Sequence, residues 1–284
     1  MNGIIIVDKP KDWTSQDVAT KIKRTLKVDK VGHAGTLDPL ATGVLVILVN
    51  GATKLSDYLL NEDKVYECEI VIGKATDTED VMGTVTESKE VTNALDVDSV
   101  LEGLIGPLEQ MPPMYSSIHH NGKKLYELAR KGIVVERVSR TIEVFDIKRT
   151  SEIVYENNEA RFSFMAKVSK GTYIRTLCVE IGNRLNFPAY MNELRRLRSG
   201  NFDLASSVTI EDIINGNYEL IPMIESLKSK RVIEVNEEEY RKIENGMKIN
   251  LDETALEVVL TKGGELIAIY EKDNNMYKAK RIWK

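Results

Sequence analysis

The segment GHAGTLDPLATGVLVIL, residues 32–48, constrains the fold of this chain more than any other. Its apolar end, residues 44–49, is rich in β-branched side chains and lies between two glycines, which predicts a buried strand. Pro39 fixes its own φ and favours an extended conformation at Asp38, while the nearby glycines permit positive φ and close approach. We therefore expect a rigid loop that holds the Asp38 carboxylate at the mouth of a strand.

Taken alone, the pair Asp38-Pro39 is typical of an ordinary turn, in which the carboxylate bonds its own backbone. The surrounding string, however, resembles the catalytic motif of the TruB family of tRNA pseudouridine synthases, bacterial enzymes that modify uridine 55 in the T arm of tRNA. The residues that carry this resemblance are Gly32, His33, Gly35, Leu37, Asp38, Pro39, Ala41 and Gly43. Motifs further along the chain also match, from residue 3 to about residue 198.

The resemblance implies a fold, a site and a substrate. The expected fold is α+β, with a mixed, largely antiparallel sheet flanked by helices in residues 1–229 and a small, β-rich, PUA-like RNA-binding domain in residues 230–284. It implies that Asp38 is the catalytic carboxylate, that Tyr66 stacks on a flipped uracil and that Arg175 pairs with Asp38. It further implies that the nucleotide site is lined by His33, Tyr173 and Leu194. The expected partner is the T arm of tRNA, bound by a cytoplasmic monomer that needs no cofactor, metal, membrane or protein partner.

Composition is consistent with a soluble enzyme of this size. The 284 residues are 42% hydrophobic and 29% charged, which is enough apolar side chain to form a real core. Cys68 and Cys178 are the two cysteines, and neither lies in a CxxC motif, so a disulfide framework or structural zinc site is not expected. The apolar run at residues 4–7 is too short for a signal peptide, and we expect no membrane-spanning segment.

The charge distribution is uneven. The net charge of −5 argues against a polyanionic partner, but the sequence carries −11 in residues 55–110, +4 in residues 117–150 and +5 in residues 167–198. Such segregation is typical of a polyanion-binding face on an acidic protein. Solvated helix faces with no partner would give the same pattern, so charge alone leaves both interpretations open.

Local patterns predict the elements around the site. Thr14, with Asp17 three residues later, forms a capping box at the start of a helix, and residues 64–72 alternate as a strand that carries Tyr66 on its apolar face. Tyr66 can therefore be plain core as well as a stacking residue. The Asp- and Thr-rich residues 73–85 lack the ligand spacing of a calcium loop and are interpreted as an acidic turn.

Two helices are predicted after residue 169. Arg175 falls in the first turn of one of them, where the positive end of the helix dipole disfavours a cation, so a nearby anion is expected and Asp38 is one candidate. The second predicted helix spans residues 190–198. From about residue 231, short strands and one helix at residues 237–244 predict the small C-terminal domain.

Three functions are compatible with these features. Pseudouridine formation breaks the N1–C1′ bond of uridine and rejoins the base through C5, and one aspartate suffices, whether it attacks C1′ or removes a sugar proton to give a glycal. A glycosidase would instead use two carboxylates flanking the bond, and the sequence offers no convincing second one. A non-catalytic RNA-binding module would explain the basic segments but not the rigid Asp38 loop.

Overall fold

The computed structural model describes residues 1–283, which form a mixed sheet of ten strands, a separate C-terminal sheet of four strands and two short hairpins. In chain order the strands are β1 (Gly3–Lys9), β2 (Val31–Ala34), β3 (Thr42–Val49), β4 (Lys64–Ile72), β5 (Lys74–Thr76), β6 (Val85–Ser88), β7 (Gly106–Gln110), β8 (His119–His120), β9 (Lys123–Lys124), β10 (Arg140–Arg149), β11 (Val154–Glu156), β12 (Glu159–Val168), β13 (Ala189–Ser199), β14 (Phe202–Asp203), β15 (Arg231–Glu234), β16 (Glu257–Lys262), β17 (Glu265–Asp273) and β18 (Met276–Ile282). The α-helices are α1 (Ser15–Leu26), α2 (Ser56–Leu60), α3 (Val97–Glu102), α4 (Leu125–Ala129), α5 (Ile174–Arg184), α6 (Ile210–Ile214) and α7 (Glu237–Glu244). Short 3₁₀ helices span Asn50–Leu55, Leu204–Ser206 and Met223–Leu227.

The large sheet has the order β1-β3-β13-β4-β12-β10-β7, and three further strands pair with inner members of this order, β2 with β3, β11 with β12 and β14 with β13. Its strands are antiparallel except where β13 runs parallel to β3. Helix α1 packs Val18 and Ile22 against β1 and β3, and α5 packs Leu177 and Ile181 into the core formed with β4 and β12. This architecture confirms the predicted α+β class.

The helix predicted for residues 190–198 is wrong, because these residues belong to strand β13. The pairing of β13 with β4 shifts register twice, passing over Asn192 and Leu197. Each bulge inserts one extra residue, so the strict two-residue alternation that marks a strand is lost from the sequence. The central position of β13 between β3 and β4 overrides the helix propensity of its Leu and Arg residues.

The other local predictions are largely confirmed. The β4 and α7 bounds are as predicted, and α1 begins with the Thr14 and Asp17 capping box. Asp98 and the Gly106-Pro107 pair predict a short helix at residues 99–105, but helix α3 begins two residues earlier, ends at Glu102 and is capped by Asp96. No helix within residues 1–283 is long and apolar enough to cross a membrane.

The C-terminal sheet has the order β15-β16-β17-β18 and packs on the outer part of the large sheet. Val259, Leu266 and Ile269 lie in one apolar cluster with residues of β1 and β3 and with Leu55. The Trp283 indole nitrogen donates a hydrogen bond to the Gly51 carbonyl at 2.8 Å. The sheet is therefore joined to the larger unit by a shared core, and the boundary at residues 229 and 230 stays a prediction.

Candidate active site

The loop that carries Asp38 is bound on both sides by neighbouring elements. The Ser15 hydroxyl accepts a hydrogen bond from the Leu37 amide at 2.9 Å and donates one to the Leu37 carbonyl at 3.2 Å. The Pro39 carbonyl accepts bonds from the Asp12 amide at 2.8 Å and from the Lys9 ammonium at 3.1 Å. The start of α1 and the end of β1 thus fix the backbone before and after Asp38, as expected of a rigid loop.

Arg175 lies in the first turn of α5 and faces this loop. Its Nε is 3.0 Å from Asp38 Oδ2, so the predicted ion pair is present. The guanidinium also donates to the Thr78 carbonyl at 3.1 Å and to the Tyr115 carbonyl at 2.8 Å. Its side chain is 5% exposed, whereas that of Asp38 is 37% exposed. Arg175 is therefore fixed in the protein while the Asp38 carboxylate stays accessible from one side.

A second carboxylate, Asp80, lies at the same guanidinium. Its Oδ2 is 3.7 Å from Arg175 Nη1, while its Oδ1 accepts hydrogen bonds from the Thr78 hydroxyl at 2.6 Å and the Met82 amide at 3.0 Å. The sequence interpretation of residues 73–85 as an acidic turn is right about the turn but overlooked this contact. A run of Asp and Thr is so common in turns that nothing in the sequence distinguishes Asp80 from its neighbours.

These groups open onto a cavity of about 780 Å³, a size that suits a nucleotide. Five of the six predicted site residues line it, namely Asp38, Tyr66, Tyr173, Arg175 and Leu194. The sixth, His33, lies on β2 and is not part of the cavity wall. Its Nδ1 has no hydrogen-bond partner within residues 1–283, and burial lowers the pKa of its imidazole.

The aromatic and apolar walls are held by the large sheet and by α5. Tyr66 on β4 pairs with Arg196 on β13, and Leu194 pairs with Cys68. Tyr66 is only 8% exposed and belongs to the main apolar core as well as to the cavity wall. The main chain of Tyr173 is fixed by Gln110, whose side-chain oxygen accepts from the Tyr173 amide at 2.8 Å and whose side-chain nitrogen donates to its carbonyl at 3.0 Å.

The electrostatics of the cavity are set by burial. Loss of surrounding water raises the pKa of Asp38, and the Arg175 charge opposes this effect by stabilising the carboxylate. Burial lowers the pKa of Lys64, another residue of the cavity wall, to about 8, and the Arg196 charge acts in the same direction. Sequence reasoning missed two buried cations, Lys64 at the start of β4 in the acidic residues 55–110 and Arg196 in the basic residues 167–198.

The basic segments therefore separate into two groups. Arg175 and Arg196, counted among the cations of residues 167–198, are buried and form no surface for a polyanion. In residues 117–150, by contrast, Arg130 and Tyr126 lie at the cavity, and the Arg130 guanidinium is 5.3 Å from the Tyr126 ring centroid. Within residues 1–283 no group of three His, Cys, Asp or Glu side chains is arranged to hold a metal ion.

Two family models together match residues 23–226 of the chain. Residues 23–174, more than half of the chain, match the family model described as TruB family pseudouridylate synthase (N terminal domain), and residues 175–226 match the model described as tRNA pseudouridylate synthase B C-terminal domain.

Two relatives named tRNA pseudouridine synthase B are similar over nearly their whole length. The protein from Bacillus licheniformis is 43% identical, over 95% of this chain and 92% of its own. The protein from Streptococcus pneumoniae is 39% identical over the whole of both chains. A solved structure of an H/ACA RNP bound to a substrate RNA containing 2'-deoxyuridine shares the fold, with a TM-score of 0.72 at 21% identity over 99% of this chain and 85% of the other. The chain therefore belongs to the TruB family of pseudouridylate synthases, enzymes that isomerise uridine to pseudouridine.

Proposed function

We propose that this enzyme converts uridine 55 in the T arm of tRNA to pseudouridine and that Asp38 is its catalytic carboxylate. The observation that carries the proposal is the accessible Asp38 carboxylate, held 3.0 Å from the buried Arg175 in a nucleotide-sized cavity. The names of the relatives support tRNA as the substrate. Position 55 rests on the resemblance of residues 32–43 to the family motif.

A base inside a folded RNA has to leave its stack before a side chain can reach its glycosidic bond, so we propose that the uridine is flipped into the cavity. Tyr66 would stack on the uracil ring, and Leu194 and Tyr173 would enclose the nucleotide and exclude water. His33 lies outside the cavity wall, so any contact it makes would be with RNA next to the flipped base.

The chemistry proposed for Asp38 requires only its ionised carboxylate. The carboxylate either attacks C1′ or removes a sugar proton, and the N1–C1′ bond breaks in both cases. The detached uracil turns within the cavity and C5 bonds to C1′, as the Asp38–C1′ bond breaks in the first route or as Asp38 returns the proton to the sugar in the second. The C5 proton is then lost while N1 gains one. Atoms balance without a cofactor, because the product is an isomer of the substrate. Arg175 opposes the rise that burial causes in the pKa of Asp38 and so favours the ionised carboxylate.

Asp80 is a second carboxylate near Asp38, which sequence reasoning did not find. A glycosidase would need such a pair, so the surroundings of Asp80 decide between the two functions. Both oxygens of Asp80 are engaged, one by Thr78 and Met82 and the other by Arg175. A carboxylate whose two oxygens are both held by other groups of the protein is not free to reach the leaving group of a glycosidic bond. We therefore propose that Asp80 orients Arg175 and takes no part in hydrolysis.

RNA contacts outside the cavity are proposed for two regions. One comprises the β8–β9 hairpin and α4, where Lys124 and Arg130 flank Tyr126 at the cavity mouth. The other is residues 230–284, proposed to form a PUA-like RNA-binding domain. We further propose that the enzyme acts as a cytoplasmic monomer without an obligatory protein partner.

The test uses a T-arm hairpin carrying [5-³H]uridine at position 55 and, as a control, a hairpin with cytidine at 55 and labelled uridine elsewhere in the loop. We expect tritium release from the first RNA at unchanged RNA mass, and none from the second. Release of free uracil would support a glycosidase. Binding without tritium release would support a non-catalytic module, and equal reaction of the control RNA would contradict specificity for position 55.

A further inference from the structure

Arg196 is the most deeply buried cation at the cavity, with 1% of its surface exposed. Its Nε donates a hydrogen bond to the Val44 carbonyl at 2.7 Å, and its Nη2 donates one to the Gly35 carbonyl at 3.0 Å. Within residues 1–283 no carboxylate lies within 4.0 Å of its guanidinium. A buried charge is costly when it lacks a counter-ion, so the position of Arg196 calls for an explanation.

The two carbonyls that bind Arg196 lie on either side of Asp38. Gly35 stands three residues before it, directly after β2, and Val44 stands six residues after it within β3. The side chain of Arg196 therefore binds the main chain at both ends of the Asp38 loop. Ser15 and Lys9, by contrast, bind the middle of the loop at Leu37 and Pro39.

The glycines at the two ends of the loop, Gly35 and Gly43, lie so close to Arg196 that a side chain at either position would press on it. Gly43 has φ of +98°, and a Cβ on it would lie 2.2 Å from the Arg196 carbonyl oxygen. Gly35 has φ of +85°, and a Cβ on it would lie 3.3 Å from Arg196 Nη1. Arg196 also occupies the short parallel junction in which β13 meets β3, where its backbone pairs with Gly43. Side chain and main chain of one residue therefore contact both glycines.

We propose that Arg196 is a positioning residue, which fixes both ends of the loop of residues 35–43 and thereby holds Asp38 at Arg175. The inference rests on the proposed catalytic role of Asp38. Arginine suits this task because its planar guanidinium presents several N–H donors in fixed directions, whereas lysine has a single nitrogen. Lysine would keep the charge of Arg196 but could not reproduce both bonds in the same geometry.

The experiment compares Arg196→Lys with Arg195→Lys and includes Asp38→Asn as the inactive reference. Arg195 is the control because it precedes Arg196 on β13 and donates its side-chain hydrogen bonds to Asp8 and to the Thr42 hydroxyl, not to the Gly35 or Val44 carbonyl. The measurements are the single-turnover rate of tritium release at saturating hairpin RNA, the RNA dissociation constant, thermal unfolding, and amide hydrogen exchange of residues 35–43.

We expect Arg196→Lys to reduce the single-turnover rate by about 100-fold, because a displacement of about 1 Å in a reacting group has an effect of that order. RNA affinity should be unchanged, and exchange in residues 35–43 should be faster. Arg195→Lys should match the wild type in rate and in the exchange of residues 35–41, which lie before its contact with Thr42. Should Arg196→Lys fail to fold, Gly35→Ala provides a second variant, since it disturbs the same contact from the loop side and is expected to slow the rate likewise.

Three results would overturn the inference. A wild-type rate in Arg196→Lys with an inactive Asp38→Asn variant would show that the two guanidinium hydrogen bonds are not needed to position Asp38. Equal rate losses in the two lysine variants would show a general effect on β13. Weaker RNA binding with a normal rate at saturation would make Arg196 an RNA-binding residue instead. If Asp38→Asn is itself active, the proposed function fails first, and that result is distinct from the other three.

Discussion

The cavity around Asp38 and the interface beneath the C-terminal sheet differ in what they bury. The cavity contains the buried ionisable groups Lys64, Asp80, Arg175 and Arg196. The interface contains apolar side chains such as Ile269, and an ion pair at its exposed rim joins Arg281 to Asp57 at 3.3 Å. Buried charge rarely adds stability, whereas buried apolar area does. Substitutions in the cavity should therefore change the rate, and substitutions in the interface should change stability.

The largest effect is expected from Asp38→Asn. The amide keeps the shape of the carboxylate but can act neither as a nucleophile nor as a base, so the single-turnover rate should fall by about 10⁴-fold or more. Folding and RNA affinity should be retained, because Arg175 still has Asp80 and two carbonyl acceptors. Asp12→Asn, at the exposed rim of the same cavity, is the control and should be fully active. Conversion of uridine by Asp38→Asn would disprove the mechanism.

The next largest effect is expected from Arg175→Gln. Loss of a fixed charge beside the reacting carboxylate should reduce the rate by about 10³-fold, and Asp80 would remain buried without its cation, which should lower the free energy of unfolding by about 3 kcal/mol. Arg184→Gln, on the exposed end of the same helix, should change neither quantity appreciably.

Arg175→Gln also predicts a change in pH dependence. Burial raises the pKa of Asp38 and Arg175 opposes that rise, so the pKa should move further upward in the variant. Because the ionised carboxylate is required, activity should be lost as pH falls through this pKa, and the acid limb of the rate profile should shift to higher pH in Arg175→Gln. A profile that stays in place would mean that Asp38 is not the titrating group or that Arg175 does not act on it.

Tyr66 lies both in the cavity wall and in the main apolar core, so it tests whether effects on the rate and on stability can be separated at a single residue. If its hydroxyl carries a proton during the reaction, Tyr66→Phe should keep stability and RNA affinity while the rate falls by about 10²-fold. Tyr66→Leu should also lose stacking worth about 1–3 kcal/mol. Phe164→Leu, at a fully buried core position, should reduce stability with little effect on the rate. Equal destabilisation by both Tyr66 variants, without a selective loss of rate, would show that Tyr66 is only a core residue.

The sequence predicts those features whose signals are local. Pro39 and the flanking glycines predict the rigid Asp38 loop, Thr14 and Asp17 predict the start of α1, and strict alternation predicts β4. Even the Arg175–Asp38 pair could be anticipated, because a cation in the first turn of a helix needs a nearby anion.

Features set by tertiary contact could not be predicted in this way. The bulges at Asn192 and Leu197 interrupt the alternation of apolar and polar residues in β13, so the sequence pattern does not predict a strand there. In the sequence, Arg196 is one of several cations in a basic segment, which is typical of a surface residue. It is buried in the structure, where β13 pairs with β3 and Arg196 lies opposite Gly43. Asp80 reaches Arg175 from 95 positions away in the sequence, and its neighbours in the turn are also acidic. In each case the residue type is compatible with several environments, and the sheet topology selects one.

The smallest effect on the rate is expected in the interface. Ile269 is fully buried in the apolar cluster shared by the C-terminal sheet and the large sheet, so Ile269→Ala should lower the free energy of unfolding by about 2–5 kcal/mol. Leu256→Ala is the matched control, since Leu256 immediately precedes β16 and is 82% exposed. The shared core also means that a chain ending at residue 229 would expose apolar surface of the large sheet and should be less stable than the full chain. Below its unfolding temperature, however, Ile269→Ala should react at the wild-type single-turnover rate, because the interface carries no group of the cavity. A rate loss in the folded variant would show that packing under the C-terminal sheet is transmitted to Asp38, and the separation of the two regions would then be wrong.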